Sequence, residues 1–197
     1  MKRRLLLLAL LPGCSVLPER PYVEARRFPL EPRRADTNPA RPGALLLLLR
    51  AMRAGSALEA RGLRRLRPDG TLFIEPYAEW AAPPPEAAEA ALRDWLRRSG
   101  LFSAVTAPGT RLATGLVLES ELLALEAGER TARAAFSALL IDESGGQPRL
   151  LGQAVLRGEA PVTGPGVEIA ARAMAAALAD AFQACEAQLP GLLASRR

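Results

Sequence analysis

The sequence predicts an α+β domain of two layers: a mainly antiparallel, mixed sheet with two long helices packed on it. Three observations carry this. Between Leu112 and Gly158, apolar residues recur with a period of two in three successive stretches, the pattern of strands with one buried face. From Pro85 to Arg98, and again from Pro165 towards Pro190, they recur at spacings of three and four, the pattern of amphipathic helices. Apolar residues make up 49% of the 197, enough to build one sizeable core.

The chain starts with Lys2, Arg3 and Arg4, then an apolar run from Leu5 to Leu11, then Pro12-Gly13-Cys14-Ser15. A basic start, an apolar run and a small residue before a cut describe an export signal. The run is too short to be a spanning helix, which needs about 20 apolar residues. A cysteine directly after Gly13 resembles the bacterial lipobox, with Leu11 at −3 and Pro12 where Ala or Ser is usual. The resemblance implies cleavage between Gly13 and Cys14, diacylglycerol on the Cys14 thiol and an acyl chain on its new amine. No other cofactor is expected. Each buried CH₂ of such chains contributes about 0.8 kcal/mol, and two lipid signals already suffice for stable anchoring. The expected organisation is a signal peptide over 1–13, a lipidated cysteine and Pro/Arg-rich tether over 14–43, one domain over 44–190 and a tail over 191–197.

Composition removes several functions. The net charge of +5 includes three charges in the signal, leaving 23 basic against 21 acidic residues, so the basic balance does not point to nucleic acid. There is no histidine, which excludes His-based triads and the common zinc sites; carboxylate or lysine catalysis stays open on composition, with the one lysine in the signal, and no metal-ligating residues are expected. With Cys14 lipidated, Cys185 has no partner, and a disulfide framework is excluded.

In chain order, the prolines at 18, 21, 29, 32, 39 and 42 predict an extended tether, with a first edge strand within Tyr22–Phe28. Five consecutive leucines after Ala44 have the length of a buried central strand. A turn at Arg53–Ser56 follows. Leu58–Leu66 fits a short helix or an irregular edge strand. Pro68-Asp69-Gly70 is a turn, Thr71–Glu75 a short strand, and Tyr77–Pro85 a lead into the first helix. Pro85 suits the first helical position, Ala88, Leu92, Trp95 and Leu96 share one face, and Gly100 terminates the helix. Leu101–Val105 reads as a strand. In the meander, Leu116, Leu118, Ser120 and Leu122 share one face, as do Ala132, Ala134, Phe136, Ala138 and Leu140. The last helix carries the stripe Ala170, Met174, Leu178, Ala181, Phe182, Cys185 and Leu189, ended by Pro190-Gly191. Cys185 within that stripe is a small core residue.

Few side chains suggest chemistry. Glu119 and Glu121 lie on a strand's polar face, where a solvated surface outweighs a catalytic pair. Arg61, Arg64, Arg65 and Arg67 read as a surface loop, since nucleic-acid sites interleave aromatics with such clusters, with binding of lipid phosphate or an acidic partner as the weaker alternative. Tyr77 and Trp80 precede the first long helix; Trp80 reads as a core or cap residue, with a partner interface at the two as the alternative.

A lipobox, a tether, an apolar strand, Trp80-Ala81 before a Pro-led helix, the segment Ser99–Val105, long alternating strands and an Ala-rich last helix occur in this order. Over Ala44–Leu189 this resembles the ABC-type transport auxiliary lipoprotein family, which includes the paraquat-inducible-type outer-membrane lipoproteins. Leu66-Arg67 stands where members often carry Tyr-Arg. The resemblance implies a periplasmic domain held at the outer membrane by its lipid, without catalytic residues. Its partners would be an ABC permease and ATPase and an MCE-domain (mammalian cell entry) protein in lipid transport between membranes, with a homo-oligomer in prospect. Ser15, where Asp would favour inner-membrane retention, agrees with outer-membrane sorting. The alternatives are a cell-envelope scaffold or assembly lipoprotein and, further off, a periplasmic hydrolase with paired carboxylates.

Overall fold

In chain order the elements are β1 (Arg26–Phe28), β2 (Leu45–Leu49), β3 (Arg53–Ala54), α1 (Ser56–Glu59), β4 (Gly62–Leu66), β5 (Leu72–Trp80), α2 (Pro84–Arg98), β6 (Phe102–Thr106), β7 (Leu116–Ala127), β8 (Thr131–Asp142), β9 (Arg149–Pro161) and α3 (Val167–Ala194). The computed structural model describes residues 21–112 and 114–196. Gly13, Cys14 and Ser15 lie outside the described residues.

The alternating stretches pair as expected: β7, β8 and β9 form an antiparallel meander, the longest ladders in the sheet. The other edge of β7 is shared by short parallel strands, with β2 beside its start, β3 beside its middle and β4 beside its end. β6 continues the sheet outside β2, and β5 then β1 continue it outside β4. The leucine run is therefore central, between β6 and β7, with Leu47 and Leu49 fully buried.

One face of this sheet is covered by α2 and α3. The helix-facing residues of β7 and β8 are those the alternation selected, and the whole α3 stripe from Ala170 to Leu189 is buried. Alanines let α3 approach closely, and Gly158 of β9 completes the fit: a Cβ there would lie 2.1 Å from the Ala177 carbonyl oxygen and 2.3 Å from the Ala181 nitrogen. On the next residue, the Glu159 N–H donates to Asp180 Oδ2 at 3.0 Å, so α3 also satisfies a donor of the strand at the sheet's edge. Edge-to-face aromatic packing joins the layers: Trp95 of α2 meets Phe182 of α3 at 5.8 Å, and Phe182 meets Phe136 of β8 at 5.5 Å.

Four local expectations are corrected. The Pro-rich stretch after β1 is extended, as its prolines require, but it is strapped onto the domain. The Asn38 N–H donates to the Arg98 carbonyl at 2.9 Å and the Arg41 N–H to the Gly100 carbonyl at 3.1 Å, which satisfies acceptors at the free end of α2. Gly100, at φ +76°, is needed twice, since a Cβ would also lie 2.5 Å from the Pro39 carbonyl oxygen. Second, the segment after β2 is more than a turn: it holds β3 and the start of α1, and Leu58–Leu66 divides into the end of that helix and β4. Third, Tyr77–Trp80 belongs to β5 instead of leading into a helix. Gly62 pairs with Glu79 and Arg64 with Ile74, so two steps along β4 face five along β5. This bulge accommodates Pro76, which has no N–H for a ladder. Fourth, α3 passes Pro190 and ends at Ala194. Packing overrides the local break: Leu192 and Leu193 join the core, Leu192 lies over Gly152, and Arg196 bonds Asp142 at 2.9 Å.

Candidate functional site

The strap of residues 29–41 crosses the helical layer, and a cleft of about 600 Å³ opens beside it between α2 and α3. Its organising group is the Glu186 carboxylate. Glu186 accepts the Trp95 indole N–H at 2.8 Å and both terminal nitrogens of Arg34, one of them at 3.0 Å. The Arg34 guanidinium also lies over the Trp95 ring, 5.2 Å from its centroid. Strap, α2 and α3 are thus tied at one charged node whose side chains are mostly buried. The node neutralises itself, so it positions a surface and leaves no free acid or base.

Several other reactive groups are also occupied, although the Glu121 side chain, half-buried on β7, has no ion-pair or hydrogen-bond partner among the described residues. Burial pushes the Cys185 thiol up to about 12, so it is neutral and inert at physiological pH. Asp142 accepts from the Ser144 hydroxyl and amide and from Arg196, and these bonds hold its carboxyl well below the usual range, so it is an anion at physiological pH. Glu119 pairs with Arg50, which also reaches Glu143 at 3.3 Å. Glu126, almost fully buried on the open side of the sheet, pairs with Arg133 and lies 3.9 Å from Arg64. No cluster of metal-ligating side chains occurs among the described residues.

The basic stretch 61–67 is strand, not loop, for the most part. Arg64 donates to the Ala57 carbonyl at 2.9 Å, Arg65 lies 3.6 Å from Glu75, and Arg67 stacks over Phe73. Tyr77 and Trp80 are separated by the bulge. Tyr77 takes a left-handed φ of 56° and is 58% exposed, whereas Trp80 is 2% exposed and belongs to the core. The bulge changes the alternation, turning Ala78 and Trp80 inward. Sequence reasoning missed Arg34 and Glu186, 152 positions apart. One signal was available: a buried tryptophan needs an acceptor for its N–H, which Trp95 finds on the last helix.

Among the described residues no helix is long and apolar enough to cross a membrane. No curated protein matches the chain. The crystal structure of a Xanthomonas campestris protein superposes with a TM-score of 0.70 at 20% identity, covering 83% of this chain and 95% of that one. That of an uncharacterized protein gives a TM-score of 0.63 at 13% identity, covering 78% and 95%. Both likenesses show the fold. The sequence itself matches a family model over residues 28–185, most of the domain and its strap. By that match the chain belongs to the ABC-type transport auxiliary lipoprotein component family.

Proposed function

We propose that this protein is a non-catalytic, lipid-anchored auxiliary subunit of an ABC transport system that moves lipid between membranes with an MCE-domain partner. Cys14 provides the anchor through diacylglycerol and an N-acyl chain, Gly13 and Cys14 flank the cleavage point, and Ser15 directs the protein to the periplasmic face of the outer membrane. The domain acts by holding a partner, as a single copy or in a homo-oligomer. The observation that carries this reading is the family match across 28–185. The engagement of Glu119, Glu126, Asp142 and Glu186 in ion pairs supports docking over carboxylate catalysis.

Metabolic labelling with palmitate tests the anchor. Wild-type protein is expected to take up label and to stay with membranes through a salt wash, and Cys14→Ala to do neither. Wild-type protein that salt alone releases would refute the anchor.

A further inference from the structure

We propose that the β4–β5 hairpin and the adjoining entry to β1 form a lipid-facing surface, resting the domain on the same bilayer that holds its anchor. This rests on the Cys14 reading. β1 runs parallel to β5, with Arg26 opposite Ala78 and Phe28 opposite Trp80, so the chain enters β1 from the side where the β4–β5 turn lies. β4 runs parallel to β7, which brings the β7–β8 turn to that end as well. The anchored terminus and the hairpin tip therefore share one end of the sheet.

Apolar side chains also meet solvent at that end. Of the ten exposed large apolar residues among those described, five belong to these two segments: Tyr22, Val23, Leu72, Ile74 and Tyr77. Leu72 and Ile74 alternate onto one face of β5, 45% and 53% exposed, and the bulge turns Tyr77 outward beside them. Side chains with an apolar body and a polar tip, set beside exposed aliphatics, suit the boundary between headgroups and acyl chains.

The reach of the chain selects a bilayer as the occupant. The seven peptide links from Cys14 to Pro21 span at most about 25 Å. A link of that length keeps the entry to β1 within reach of the bilayer. Charge there is mixed: Arg65 lies 3.6 Å from Glu75 and Arg64 3.9 Å from Glu126, and the exposed Arg61, Arg67 and Arg130 stand with Glu24, Asp69 and Glu129 in and beside these segments. With the hairpin's central arginines ion-paired, the contact rests mainly on the apolar side chains and should require neither anionic lipid nor low salt.

The test uses full-length lipidated protein in vesicles of phosphatidylethanolamine and phosphatidylcholine that carry nitroxide-labelled lipid. A fluorophore is placed in turn at Leu72→Cys, at Tyr77→Cys and, at the far end of the sheet, at Gly145→Cys. Cys185 is buried and does not compete for the label. Quenching is expected to be several-fold stronger at 72 and 77 than at 145, and unchanged by salt. Equal quenching at all three positions overturns the proposal. So does absence of quenching at 72 and 77 with cross-linking between copies there, which would assign the surface to a second copy. The mass of the N-terminal peptide from the same sample separates the two failures. An unlipidated Cys14 removes the anchor and this surface together, whereas a lipidated Cys14 with uniform quenching removes the surface alone.

Discussion

Glu186 shows how much of the strap depends on one carboxylate. Removing it leaves the Arg34 guanidinium and the Trp95 N–H without their shared acceptor in a mostly buried position. Hydrogen bonds to charged groups contribute about 1.5–3 kcal/mol, and the partners left behind add a desolvation cost. Glu186→Ala should therefore lower stability by about 2 kcal/mol in urea denaturation. A double-mutant cycle with Arg34→Ala should show strong coupling; additive losses would mean the node is not a unit. Asp142 gives a second test at this scale. Its carboxyl is held below the ordinary value of 3.8 by Ser144 and Arg196. A group depressed on folding contributes stability above its unfolded value and loses it as pH falls towards the folded one. Asp142→Asn should thus be less stable than wild type at neutral pH, with the gap closing as pH falls below about 4. Denaturation curves taken across that range would read it, and a gap that stays constant would count against a charge-based role. Neither group was legible in the sequence as a tie point, because Arg34–Glu186 and Asp142–Arg196 join residues far apart in the chain.

At the scale of elements, periodicity was the legible part. Both long helices, the central strand of five leucines and the three-strand meander follow from sequence patterns, although only Leu47 and Leu49 of the leucine run are buried and Leu45 is exposed. What the sequence hid were places where packing overrules local preference. Pro76 looked like a strand end, but a bulge absorbs it; Pro190 looked like a helix end, but Leu192 and Leu193 still have core to cover. Gly158 is the opposite case, a quiet residue in an alternating strand that sets how closely α3 approaches β9. Gly158→Ala would push a methyl into α3's backbone. Overpacking of this kind costs about 1–3 kcal/mol, here expected at the upper end. For a domain of this size that lowers Tm by roughly 6–12 °C. Calorimetry checks it, and an unchanged Tm would show that α3 stands further from the sheet.

At the scale of the whole molecule, the sheet carries helices and a strap on one face and ion-paired carboxylates on the other. Among the described residues, the buried thiol of Cys185 is inert. The fold class was readable because three strands and two helices of opposite period can bury their apolar faces only against each other. The working surface was less readable. Tyr77 and Trp80 are three positions apart, yet the bulge sends one to solvent and the other to the core. The proposed function makes this a protein that works by what it is attached to. The most direct test is affinity isolation of the native protein from detergent-solubilised membranes, followed by identification of what comes with it. Recovery of an MCE-domain protein, with or without its permease and ATPase, is the expected result. Isolation of the protein in lipidated form, with other envelope proteins but none of these components across several detergents, would contradict it.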